Sequence, residues 1–182
     1  MPTYVYGILF GGWLAWMLPF FLIRRGKSRA EKVDRRARWG IVIEAVGYSI
    51  LWQNSFWNRS PAAWRLVLGI ALLATAVVLS WTSARTLGRH WRFDAGLNAD
   101  HQLVRSGAYR FVRHPIYTSM LSMLLGTGFL ITPLSVLVIA TTLFIIGTQI
   151  RVRIEDALLA ARFGHDFRDY QSKVAAYVPF VI

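Results

Sequence analysis

Two short polar stretches hold most of the side chains with which this 182-residue chain could do chemistry. One runs from His101 to Tyr117 and carries Gln102, Tyr109, Arg113 and His114; the other is Arg151-Val152-Arg153-Ile154-Glu155-Asp156. Arg151 and Glu155 stand four residues apart, so on a helix they share a face one turn apart. A guanidinium there can hold an anion in a planar, bidentate fork, and the carboxylate can receive a cationic or hydroxyl-bearing group. The chain has no cysteine, which excludes disulfides, thiolate metal sites and cysteine nucleophiles, and no metal site is expected. Plainer readings remain for each motif. Arg151 and Glu155 form an ordinary i,i+4 pair equally well, one worth ~0.2–0.5 kcal/mol and in the weaker order. Arg113-His114, taken alone, anchors a helix start to lipid headgroups. Gly126-x-Gly128, taken alone, is close helix packing.

The elements that carry these stretches belong to a membrane. Hydrophobic residues make up 55% of the chain and charged residues 16%, against ~25% charged in soluble domains. The apolar residues come in uninterrupted blocks, without the polar stripe of a soluble helix. Five spans are expected, at about 4–23, 39–57, 64–81, 115–131 and 133–150. The first is read as a retained helix, since its positive charges follow it, whereas a signal peptide carries them in front. Glu44 lies inside the second span, where an ionisable group faces the bundle interior or pairs at its end with Arg38; it is not assigned to the site. Pro115 suits the first turn of the fourth span, and Thr132-Pro133 divides the fourth from the fifth as a tight helical hairpin. After Ile150, charged and apolar residues alternate at helical period, so the tail is expected to leave the bilayer as an amphipathic helix. The fold class is therefore all-α: one membrane domain over 1–182, a bundle of about five transmembrane helices with a helical hairpin and a cytoplasmic C-terminal amphipathic helix.

Of 21 Lys and Arg, 19 fall in segments 24–38, 82–114 and 151–182, which lie on one side of a five-span chain. Positive charge marks that side as cytoplasmic and puts the N-terminus outside. The net charge of +12 is accounted for by anionic headgroups at those loops, so the bilayer and not nucleic acid is the expected partner.

Several motifs occur together and in order: Leu87-Gly88-Arg89, His101 to Tyr109, Arg113-His114-Pro115-Ile116-Tyr117, Gly126-Thr127-Gly128, Arg151, Glu155-Asp156 with Leu159, Phe163-Gly164, Tyr170 and Pro179. This pattern resembles the isoprenylcysteine carboxyl methyltransferases and the wider group that includes phospholipid N-methyltransferases. The resemblance implies S-adenosylmethionine as cofactor, bound by a cradle from 101–117 and 151–156. Its implied cofactor contacts are His101, Gln102, Leu103, Val104, Tyr109, His114, Pro115, Ile116, Tyr117, Gly126, Gly128 and Glu155. Arg151 is implied to face the substrate, so Arg151 and Glu155 are the implied catalytic pair. Two positions depart from the family pattern: Glu155-Asp156 stands for Glu-Glu, and Phe167 for Tyr. The stretch 91–100 matches poorly, and the family's additional cofactor contact falls there at Asp94.

The function so implied is methyl transfer to a lipid-like or prenylated amphipathic acceptor, with carboxyl O-methylation as the first reading. The alternatives are a phospholipid or small amine N-methyltransferase, an NADPH-dependent membrane reductase of similar architecture, and a non-catalytic membrane subunit.

Overall fold

A computed structural model describes residues 1–23, 30–53, 59–88, 96–98 and 102–178. Among the described residues five main helices build it: α1 (Thr3–Leu22), α2 (Ala37–Leu51, short of the expected end at 57), α3 (Ala63–Leu87), α4 (Pro115–Ile131) and α5 (Leu134–Phe163). A short amphipathic helix, α6 (His165–Lys173), follows. α1, α3 and α5 are long and apolar enough to cross a membrane, while α4 is a shorter apolar helix. The fold is an all-α membrane bundle, as expected. One small element was not foreseen: β1 (Ala30–Val33) pairs antiparallel with β2 (Gly96–Asn98).

Two helices overrun their expected ends. α3 continues past Trp81 to Leu87 because Thr82 and Thr86, polar as they are, return their hydroxyls to the carbonyls of Val78 and Thr82, both at 2.8 Å. It stops at Gly88, whose φ of 51° suits glycine. α5 likewise does not break at Ile150. The change there is one of polarity, with no proline between Leu134 and Phe163, so fifth span and amphipathic segment are a single helix ended by Gly164 at φ 55°. Arg151, Glu155 and Asp156 thus extend rigidly from the fifth span.

Packing follows membrane rules, in which small residues let helices approach and polar side chains find partners across them. α2 lies against α5 through Gly40, Gly47 and Gly147: a Cβ at Gly47 would come within 2.8 Å of the Ala140 carbonyl. α3 meets α4 at Gly69 and Gly126, where a Cβ on Gly126 would stand 3.0 Å from the Gly69 carbonyl. α1 joins through its tryptophans. The indole N–H of Trp13 donates to Thr127 at 3.1 Å, that of Trp16 to Ser119 at 3.2 Å, and that of Trp81 on α3 to the Ala15 carbonyl at 3.0 Å.

The polar segments gather at one end of the bundle. The β1–β2 ribbon joins the connection after α1 to the connection after α3. Arg105 Nη2 donates to the Asp166 carbonyl at 2.6 Å, tying the second connection to α6.

At the opposite end Arg65 holds the α4–α5 hairpin. Its Nε donates to the Phe129 carbonyl at 2.8 Å, and Nη2 donates to the carbonyls of Gly128, at 3.2 Å, and Thr132. The Phe129 carbonyl lacks its intrahelical donor because Pro133, four residues on, has no N–H, whereas the Gly128 carbonyl also accepts the Thr132 N–H at 2.9 Å. Thr132 also donates its hydroxyl to the Leu51 carbonyl at 3.1 Å and fastens α2 to the same turn. Arg65→Leu is expected to lower stability by ~2 kcal/mol or more, because charged hydrogen bonds are lost and buried acceptors stay unsatisfied. Arg65→Lys should rescue this in part, since one ammonium lacks the spread of a guanidinium. Thermal unfolding in detergent measures both; unchanged melting of Arg65→Leu contradicts the capping role.

Candidate active site

The site forms where the start of α4 meets the polar extension of α5. The residues leading into α4 have backbone N–H groups that no helix turn satisfies, and the C-terminal segment supplies acceptors. Arg113 and His114 donate their N–H groups to the carbonyls of Ala175 and Ala176, both at 2.8 Å, beside a parallel bridge from Val112 to Ala175. Thr118 Oγ1 donates to the Tyr177 carbonyl at 2.6 Å, and the Tyr177 hydroxyl donates to Gln149 Oε1 at 3.2 Å. Residues 174–178 therefore strap the first turn of α4 to α5.

The strap lines up a network in which His114, Tyr117 and Asp156 are buried and Glu155 is half-buried. His114 Nε2 lies 2.8 Å from Asp156 Oδ1, and His114 Nδ1 lies 3.4 Å from Glu155 Oε2. Glu155 Oε1 accepts the Tyr117 hydroxyl at 2.5 Å. Asp156 Oδ2 also receives Arg113 Nη2 and Gln171 Nε2, each at 3.1 Å. One turn back, the Arg151 guanidinium sits 4.8 Å from the Tyr117 ring centroid, a cation–π distance. Arg151 Nη1 donates to Glu44 Oε2 at 2.9 Å, and Thr148 Oγ1 donates to Glu44 Oε1 at 2.9 Å.

Three cationic residues, Arg113, His114 and Arg151, thus stand against three carboxylates, Glu44, Glu155 and Asp156. Burial works against charge on His114, but its hydrogen bonds to Asp156 and Glu155 and their negative charge overcome it and push its pKa up to about 9. The imidazole is a doubly donating cation at neutral pH. Such an arrangement offers fixed donors, a carboxylate and an aromatic face, all held by side chains on α4 and α5.

The resemblance-implied residues separate into groups. His114, Pro115, Ile116 and Tyr117 form the first turn of α4 with His114 as its cap, and Glu155 and Arg151 meet there. Gln102, Leu103 and Val104 line an open pocket of ≈ 590 Å³ together with Thr86, Arg105 and Ser106. Tyr109, in a 3₁₀ turn at Gly107–Arg110, is buried and accepts the Tyr170 hydroxyl on its carbonyl. Arg105 lies over the Tyr170 ring at 5.7 Å, linking pocket and α6. His101 and Asp94 lie outside the described residues.

Gly126 and Gly128 lie apart from the cluster, on the order of 13 Å or more along α4 from Tyr117. There Gly126 packs on Gly69 and Leu73, and Gly128 on Leu137.

Sequence reasoning left out Glu44 and did not foresee the strap or Gln171. Arg38 is not the partner by which Glu44 is held: the carboxylate is 2% exposed and faces Arg151 and Thr148 in the bundle interior. A lone carboxylate within an apolar span was the available signal, since it must have a partner.

The raised His114 pKa has a consequence for stability. A group bound to its proton more tightly when folded stabilises the fold fully below its unfolded value near 6.5 and loses that contribution as pH rises through about 9. The contribution is on the order of 3 kcal/mol. Melting temperature in detergent should therefore fall between pH 7 and pH 9.5, and His114→Gln should flatten that decline. An equal decline in the variant contradicts the charged assignment.

Comparison with known proteins shows the family. The phospholipid methyltransferase family pattern matches residues 64–166, which include most of the cluster. A protein-S-isoprenylcysteine O-methyltransferase of Schizosaccharomyces pombe is 35% identical over 172 residues, covering 93% of this chain and 67% of the relative. One of Tribolium castaneum is 30% identical over 123 residues, 65% of this chain and 43% of the relative. A cobalt-zinc-cadmium resistance protein of Cupriavidus metallidurans is 29% identical over 143 residues, 78% of this chain and 62% of the relative. The chain thus spans from under half to two thirds of the length of these relatives. With the family pattern running from the start of α3 into α6 and taking in Arg113, His114, Tyr117, Arg151, Glu155 and Asp156, the chain belongs to the phospholipid methyltransferase family.

Proposed function

We propose that this protein transfers a methyl group from S-adenosylmethionine to the carboxylate of a prenylated or otherwise lipid-like acceptor that reaches the site from the bilayer. The observation that carries the proposal is the network of Tyr117, His114, half-buried Glu155 and Asp156 beside Arg151, at the end of the bundle where the polar segments gather. Membership of a methyltransferase family supports the reaction class, and the names of the fungal and insect relatives support a prenylcysteine-like acceptor.

The donor set fits the cofactor. S-adenosylmethionine carries an ammonium, a carboxylate and ribose hydroxyls; Glu155, whose oxygens can each accept a further hydrogen bond, is an acceptor for the ammonium or the hydroxyls. His101, Gln102, Leu103, Val104 and Tyr109 would hold it from the connection after α3, and His114, Pro115, Ile116, Tyr117 and Glu155 from the helix ends. Gly126 and Gly128 would serve by fixing α4 against α3 and α5. Bound there, S-adenosylmethionine supplies an electrophilic methyl group on a sulfonium.

What the chain itself must do is align and desolvate. Tyr117, held by Glu155, keeps one wall rigid, and Arg151 presents a planar fork to an acceptor carboxylate. A carboxylate is a nucleophile at neutral pH, so no general base is required.

The side to which sequence segments 24–38, 82–114 and 151–182 belong, with 19 of the 21 Lys and Arg, is proposed to face the cytoplasm, with the N-terminus outside. A reporter fused after Ile182 should read as cytoplasmic; an extracytoplasmic signal reverses the orientation.

Transfer of a labelled methyl group to a prenylated cysteine in detergent tests the activity. Glu155→Ala is expected chiefly to weaken S-adenosylmethionine binding. Arg151→Ala is expected to bind it nearly normally while turnover falls by about 100-fold, the scale of a lost positioning contact. Equal loss of cofactor binding in both variants assigns the pair a structural role instead. Full turnover of Arg151→Ala removes Arg151 from acceptor handling and points to an uncharged or cationic acceptor.

A further inference from the structure

The Glu44–Arg151 pair is built into the α2–α5 contact from both sides. A Cβ at Gly40 would lie 2.5 Å from Arg151 Cγ, and a Cβ at Gly147 would lie 2.9 Å from Glu44 Cγ. Each helix therefore carries a glycine where the charged side chain of the other must pass. The carboxylate is almost wholly buried, at 2% exposure, and both its oxygens are used, one by Arg151 and one by Thr148. Stability does not explain such a pair, because apolar residues of similar volume usually serve a buried contact as well or better. What the pair does achieve is to fix the guanidinium 4.8 Å from the ring of Tyr117, whose hydroxyl is bound by Glu155.

The chemistry of a carboxylate acceptor gives the pair a use. A carboxylate loses its negative charge as it becomes a methyl ester, so an uncompensated cation beside it favours the bound reactant over the transition state. A guanidinium whose charge is already offset can orient the carboxylate without holding it so tightly. We propose that Glu44 is a positioning residue that fixes Arg151 against Tyr117 and offsets its charge, setting both turnover and the preference for anionic acceptors. This rests on the reading in which Arg151 faces the acceptor.

The test compares a prenylated cysteine bearing a free carboxylate with its carboxamide, using equilibrium binding and, for the carboxylate, steady-state kinetics on the full chain in detergent. Glu44→Gln keeps the shape and removes the charge. It should raise the preference of binding for carboxylate over carboxamide by about 10-fold or more, while lowering kcat for the carboxylate acceptor by about 10-fold. Glu44→Asp should keep the wild-type preference. Thr148→Val, a milder change that frees one oxygen of Glu44, should lower kcat by about 3-fold or more with the preference unchanged and S-adenosylmethionine binding intact.

An unchanged preference in folded Glu44→Gln overturns the proposal and leaves the pair as helix packing. If Glu44→Gln does not fold, full turnover by Thr148→Val overturns it. Wild-type protein that binds the carboxylate, transfers no methyl group and yet shows the shifted preference in Glu44→Gln removes the methyltransferase reading and keeps the role of Glu44. Failure of the wild type to bind either ligand removes both.

Discussion

A charge inside an apolar bundle is held only where its partner is built beside it, since hydrocarbon offers no water to take over. Glu44 imposes that condition on α2, Arg151 meets it from α5, and the rest of the site follows from their contact. Once α5 is docked so that Arg151 reaches Glu44, Glu155 and Asp156 fall one turn further along the same unbroken helix. They then need cations and donors of their own, which the entrance to α4 supplies as Arg113, His114 and Tyr117. Balance of three cations and three carboxylates lets a highly polar cluster adjoin the membrane interior without an isolated charge.

The apolar part of the bundle serves this geometry. Helix contacts at Gly40, Gly47 and Gly147 bring α2 close enough for side chains of Glu44 length to span the interface. Gly69 and Gly126 do the same for α3 and α4. At the far end Arg65 and Thr132 fix the hairpin, so α4 and α5 leave it in register and their polar ends meet. The strap at 174–178 completes the site by satisfying N–H groups at Arg113 and His114 that neither the bilayer nor a helix turn could satisfy.

Sequence alone carried the bundle well, because blocks of about 20 apolar residues have few alternatives to a spanning helix. It also singled out His114, Tyr117, Arg151 and Glu155, whose charge or polarity stands out beside apolar runs. The helix ends were harder. A change from apolar to charged residues at Arg151 looks like a boundary, yet backbone continuity depends on the absence of a helix breaker and not on polarity. Partner identity was harder still. Glu44 was visible as an anomaly, but 107 residues separate it from Arg151, and no local pattern relates the two. The strap and the β1–β2 ribbon involve backbone groups, which every residue possesses, so composition could not announce them. Gly126 and Gly128 show the converse: a motif conspicuous in the sequence lies in helix interfaces away from the polar cluster.

The proposed reaction requires the network at the polar end of the bundle to recognise a sulfonium cofactor and its product. Calorimetric titration of the detergent-purified protein with S-adenosylhomocysteine, and separately with NADPH, examines it most directly. Saturable binding of S-adenosylhomocysteine at one site per chain, with no heat from NADPH, is the predicted result. Binding of NADPH in its place, or of neither ligand, would contradict it.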